Sequence, residues 1–78
     1  MPYIAIKAFP KDRATKEAVV EKINAVFLEV WGCPQQAITI SVEDILPEEW
    51  EAKVAQCEIE PHKEKMMILA GEKRYKQP

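Results

Sequence analysis

Residues 1–10 read Met1-Pro2-Tyr3-Ile4-Ala5-Ile6-Lys7-Ala8-Phe9-Pro10, and the alternation within them decides how the remaining chain is read. Ile4, Ile6 and Ala8 fall on one face and Tyr3, Ala5, Lys7 and Phe9 on the other, which is the period of a β-strand with one side turned to a core. Pro10 and the polar run Lys11-Asp12-Arg13 end that strand. Asp12 or Thr15 can cap a helix whose apolar positions Val19, Ile23, Val26, Phe27 and Val30 recur at the helical period, while Lys16, Glu17, Glu21 and Lys22 mark its wet side. Gly32 suits a left-handed C-terminal cap, and Pro34 prevents continuation. Ile38, Ile40 and Val42 then alternate with Thr39, Ser41 and Glu43 as a second half-buried strand.

Strand, helix, strand is a βαβ unit, whose right-handed crossover sets the two strands parallel. Two strands are not an independently stable sheet, and one helix covers only one face. The fold expected is therefore α/β: a single βαβ unit plus C-terminal helical segments, its four-stranded sheet completed in a homodimer. Pro47-Glu48-Glu49-Trp50 reads as a helix start, with proline in the first turn and acids at the positive dipole end. Trp50, Val54 and Cys57 share a stripe of that helix, and Glu60-Pro61 permits a break. The span from Pro47 to Leu69 is predicted helical, with Met66, Met67, Ile68 and Leu69 as a last apolar patch and residues 71–78 as a fraying tail.

At 78 residues and 9.0 kDa the chain makes one small domain, 1–78. A domain this small needs disulfides, a metal or a partner subunit. Two cysteines, Cys33 and Cys57, with His62 as the one imidazole, spell out neither a disulfide framework nor a zinc site, which leaves self-association. The 11 basic and 13 acidic residues are interspersed, giving a net charge of −2, and no basic stripe suggests a nucleic-acid partner. The apolar runs are too short for a membrane span. The first residues lack a secretory pattern, so a cytoplasmic protein with reduced thiols is expected.

For chemistry, the sequence has no serine elbow, only two glycines for any phosphate loop and no paired-histidine metal motif. Pro2 is the unusual residue. Methionine before a small residue is commonly trimmed, which would leave a secondary amine at the head of a strand. Ordinary α-amino groups titrate at roughly 8, and burial or a neighbouring cation moves that value toward neutrality, where a proton-abstracting base works best.

The N-terminal run through Pro10, the βαβ unit, Ile38 to Val42, Pro47-Glu48-Glu49-Trp50 and Glu58-Ile59-Glu60-Pro61 together resemble the tautomerase superfamily. Within it the match is to the 4-oxalocrotonate tautomerase-like group, nearest its PptA type. The resemblance covers nearly the whole chain, and only the N-terminal proline is mechanistically specific. It implies a cofactor-free isomerase in which the Pro2 amine takes a proton from the enol of a 2-hydroxydienoate or enolpyruvate and returns it to carbon. It also implies that Lys11, with Arg13 nearby, meets the substrate carboxylate, and that Trp50 walls the pocket. Thr39 stands where a second-strand arginine is found in 4-oxalocrotonate tautomerase. A dicarboxylate therefore lacks one counter-charge, and a monocarboxylate with an aromatic tail, such as phenylenolpyruvate, is favoured.

The same residues carry plainer readings. Arg13 can pair with Glu17 across a helical turn, Lys11 can be a solvated loop lysine, and Trp50 can anchor a core or an interface. His62 has no acid-base partner in sequence. The competing functional class is a non-catalytic oligomeric βαβ module that binds small acids or a protein partner, and the state of Met1 separates the two.

Overall fold

The computed structural model describes residues 1–76, which form two compact units, Met1–Leu46 and Pro47 onward. The first unit carries β1 (Tyr3–Ala8), α1 (Arg13–Val26) and β2 (Thr39–Asp44). The strands pair in parallel from Tyr3↔Thr39 to Ala8↔Asp44, as the βαβ reading requires. Ile4, Ile6, Ala8, Ile40 and Val42 are half-buried, whereas Tyr3, Ala5, Thr39, Ser41 and Glu43 are exposed. The alternation thus became one covered and one open face. Backbone bonds close both ends of the pair: the Thr39 amide donates to the Pro2 carbonyl at 3.2 Å and the Ile45 amide to the Ala8 carbonyl at 2.8 Å.

Asp12 is the helix cap. One of its carboxylate oxygens accepts the Thr15 amide at 3.3 Å and the other accepts the Thr15 hydroxyl at 2.6 Å. Those bonds favour the charged carboxyl, so Thr15, with a smaller contribution from the Lys11 charge, holds Asp12 below its usual value of 3.8. After Val26 the helix widens into a π-turn, Phe27–Trp31, in which the amides of Gly32 and Cys33 both reach back to the Phe27 carbonyl. Gly32 takes the left-handed conformation at φ 84°. The widening changes the angular step per residue. Val30, expected on the apolar stripe, is accordingly 80% exposed, and Trp31 beside it is exposed too.

In the second unit α2 (Pro47–Trp50) runs directly into a π-helix, Glu51–Ile59, and then a 3₁₀ segment, Glu60–Lys65. Val54 is buried, but Cys57 is exposed and donates its thiol to the Ala52 carbonyl at 3.0 Å. Wide turns carry Cys57 off the stripe that a 3.6-residue period assigned to it. The expected helix to Leu69 also stops short. Ile68–Leu69 and Glu72–Lys73 form a small antiparallel hairpin, β3 and β4, in place of an apolar helix end and a loose tail. Ala70 (φ 49°) and Gly71 (φ 85°) make its two-residue turn, the backbone pattern of a hairpin loop with positive φ at both central residues. The fraying expected at residues 77 and 78 lies outside the described residues.

Among the described residues only Pro2, Ile45 and Val54 are buried. A core that sparse leaves large apolar side chains in water, Val26 and Trp31 among them. No helix among the described residues is long and apolar enough to cross a membrane.

Candidate active site

Pro2 is buried at the head of β1, its carbonyl held by the Thr39 amide, while Met1 before it is 98% exposed. The parallel register explains the placement, since Thr39 opens β2 opposite Tyr3 and brings the two strand starts together. Tyr3 and Thr39 are both exposed beside the proline. With Met1 attached the Pro2 nitrogen is an amide. Only its release as a secondary amine gives this corner a base.

Lys11 and Arg13 are not in that corner. They follow the opposite end of β1, and six residues of strand at ~3.3 Å each put roughly 20 Å between the two ends. No lysine or arginine side chain spans that gap, so within one chain the expected cations and the expected base do not meet. The family resemblance puts them at one site, and they are only nine and eleven residues from Pro2 in sequence, but the direction of β1 separates them in space. Arg13 also follows its plainer reading: its Nε donates to Glu17 at 2.8 Å, and both side chains are exposed. Lys11 is exposed and, among the described residues, forms no ion pair.

The charge of Lys16 predicts a place on the wet face of α1. Instead it is half-buried and its ammonium bridges both oxygens of Asp44 at 3.1 and 3.2 Å, joining the first turns of the helix to the end of β2. Its spacing carried the signal. Residues 16, 19, 20 and 23 share one helical face, and Val20 and Ile23 on that face are half-buried. Thr39 and Ser41 lie on the open side of the sheet, as read. A reciprocal amide pair, Asn24 with Gln35 at 2.8 and 2.9 Å, fastens α1 to the turn before β2 and thereby fixes where Thr39 begins.

Trp50 closes α2 in the second unit and is half-buried. His62 is exposed in the 3₁₀ segment. Both cysteines are free thiols, and the described residues contain no group of three or more side chains able to hold a metal ion.

A family profile described as "Tautomerase enzyme" matches residues 2–55, the span that holds Pro2, Lys11, Arg13, Thr39 and Trp50. Proteins named "Tautomerase PptA" are similar over most of the chain. Those of Shigella sonnei (strain Ss046) and Escherichia coli O127:H6 (strain E2348/69 / EPEC) are each 35% identical over 73 residues, covering 91% of this chain and 96% of the relative. That of Cronobacter sakazakii (strain ATCC BAA-894) is 27% identical over 63 residues, or 78% of this chain and 83% of the relative.

Proposed function

The chain belongs to the tautomerase family, and on that premise we propose that Pro2, freed by removal of Met1, is the general base of a cofactor-independent keto-enol tautomerase. The observation that carries this reading is the contrast between a buried Pro2 and a fully exposed Met1. An exposed first residue is open to an aminopeptidase. A buried secondary amine loses hydration of its charged form, which moves its pKa down from roughly 8 toward the pH at which it must accept a proton.

The substrate is a 2-hydroxydienoate or an aryl enolpyruvate such as phenylenolpyruvate. Pro2 accepts the enol hydroxyl proton and delivers it to carbon, so the 2-oxo acid forms with no net gain or loss of protons. The carboxylate is held by Lys11, with Arg13 second to it. The setting is cytoplasmic.

The roughly 20 Å between the ends of β1 makes this site a shared one. Among the described residues β1 pairs with β2 on one side only. Joining the other edges of two β1 strands antiparallel about a two-fold axis produces a four-stranded sheet and sets the start of each β1 against the end of the other. Pro2 then faces the partner subunit's Lys11. The sparse core supports the same arrangement, since subunit association is the remaining means of covering so much exposed apolar surface.

The test compares forms with and without Met1. Tautomerisation of phenylenolpyruvate, followed by loss of enol absorbance, should be catalysed only by protein whose intact mass lacks Met1. Equal turnover by the Met1-retaining form would exclude Pro2 as the base, and an absence of turnover by either form would favour the non-catalytic acid-binding module.

A further inference from the structure

We infer that Asn24 and Gln35 are positioning residues for the reaction: through the Thr39 amide, their reciprocal side-chain bonds hold Pro2 in one orientation. The inference rests on the reading of Pro2 as the base. Once Met1 is removed Pro2 ends the chain, and the peptide plane that follows it is the nearest fixed frame for its amine. The Thr39 amide, donating to the Pro2 carbonyl at 3.2 Å, pins that plane. Because the peptide group is rigid, the amine keeps only the torsion between plane and ring. This bond is the end rung of the parallel ladder, and chain ends fray unless something ties them down.

Three links tie it to α1. Gln35 Nε2 donates to Asn24 Oδ1 at 2.8 Å, and Asn24 Nδ2 donates back to Gln35 Oε1 at 2.9 Å. The Gln35 carbonyl accepts the Ile38 amide at 3.1 Å across the 3₁₀ turn Gln35–Ala37. Thr39 follows directly. Gln35 is thus held to the helix by its side chain and to the start of β2 by its backbone. Asn24 is half-buried, next to Ile23 on the inward side of α1. Asparagine is a poor residue for a helix interior, so helix formation does not account for it there, whereas a partner across the connection does. Without the pair, the connection is anchored to the helix at its start, where the Gly32 and Cys33 amides reach the Phe27 carbonyl. Its far end, and with it the end rung at Pro2, is then free to fray.

The experiment uses protein freed of Met1. Amide hydrogen exchange compares Thr39 with Ile45, whose amide donates to the Ala8 carbonyl at the opposite end of the strands. Asn24→Ala and Gln35→Ala should each quicken exchange at Thr39 several-fold and leave Ile45 unchanged, whereas a general loss of stability would quicken both. In steady-state turnover of phenylenolpyruvate each should lower kcat about three- to tenfold with KM within about twofold, because the base is misplaced and the carboxylate anchor is not. The double variant should be no slower than either single one, since each alone removes both bonds. Exchanging the two residues, Asn24→Gln with Gln35→Asn, keeps the donors, acceptors and combined reach, and should restore kcat. Wild-type kcat in both alanine variants, unchanged exchange at Thr39, equally quickened exchange at Ile45, or an exchanged pair as slow as the alanine variants would overturn the positioning role. Wild-type turnover in Pro2→Ala or with Met1 retained would instead overturn Pro2 as the base.

Discussion

The Thr39 amide donates to the Pro2 carbonyl at 3.2 Å, so the first residue of β2 stands beside the proposed base with its side chain exposed. That neighbourhood makes Thr39 the place to change substrate preference. Thr39→Arg introduces a second cation beside Pro2, where in the proposed shared site the partner subunit's Lys11 supplies the first. Because the position is exposed, the new pair is worth only about 0.2–1 kcal/mol. The expected result is a roughly two- to fivefold rise in kcat/KM for 2-hydroxymuconate, with little change for phenylenolpyruvate. An unchanged ratio between the two substrates counts against a dicarboxylate having one end near Thr39.

Pro2→Ala keeps an N-terminal amine but alters its basicity, bulk and rigidity. Removal of a general base typically costs 10²–10⁴-fold, and partial replacement should cost about 10²-fold or less. The loss should fall on kcat rather than KM, because Pro2 acts on the proton and Lys11 on the carboxylate. Steady-state kinetics on protein with verified Met1 removal decides this, and wild-type kcat in Pro2→Ala would dismiss the proline as base.

The strands were legible because period-2 alternation needs no knowledge of anything else: Ile4, Ile6, Ile40 and Val42 turned inward as read. The candidate site was legible only in its residue types. Pro2 and Lys11 are near in sequence and far apart in space, and only strand direction separates them. The helical segments misled where they widened, at Val30 and Cys57, since a pattern counted at 3.6 residues per turn shifts once the turn lengthens, and also in the regular turns of α1, where Val19 and Val26 of the expected apolar stripe are exposed. The hairpin escaped notice because its turn is Ala70-Gly71 rather than the Asn-Gly or Asp-Gly pair that announces such loops. Lys16 differs for another reason: its charge predicts a wet face, although its spacing sets it with the half-buried Val20 and Ile23 and its ammonium reaches Asp44.

The Asp12 cap gives α1 a pH-dependent contribution. Its folded pKa is lowered, principally by the Thr15 hydroxyl, so it stabilises the native state above the unfolded value near 3.8 and loses that effect as pH falls through the folded value. Asp12→Ala should therefore lower Tm at neutral pH, and the difference from wild type should shrink as pH drops below the ordinary carboxylate range. Asp12→Asn retains the acceptor and should lose less at neutral pH. A Tm difference between Asp12→Ala and wild type that persists undiminished into acid would contradict a charged cap.

The hairpin turn predicts opposite effects at adjacent positions. Gly71 has φ 85°, and a Cβ there meets no neighbouring atom within 4 Å, so Gly71→Ala is penalised by backbone strain alone. About 1–2 kcal/mol is expected. Ala70 already bears that strain at φ 49°, and Ala70→Asn should recover a few tenths of a kcal/mol because asparagine tolerates the left-handed region. Denaturant unfolding midpoints with unchanged slopes measure both. A destabilised Ala70→Asn would mean that the alanine methyl makes a contact worth more than the strain.

The shared site makes a prediction that a single-chain site cannot. Pro2→Ala damages the base and Lys11→Gln damages the carboxylate anchor; if each site combines Pro2 from one subunit with the partner subunit's Lys11, the two defects can segregate. A heterodimer of the two variants carries one site with both lesions and one with neither. When equal amounts are unfolded together and refolded, half of the dimers are mixed, so about a quarter of all sites should be intact. Activity in the mixture should rise to about a quarter of wild type, well above either variant refolded alone. If Pro2 and Lys11 instead served one site within the same chain, every site would carry one lesion and mixing would restore nothing. Light scattering on the refolded mixture verifies that dimers form, and an unrestored mixture of dimers would reject the antiparallel pairing of β1 edges together with the shared site.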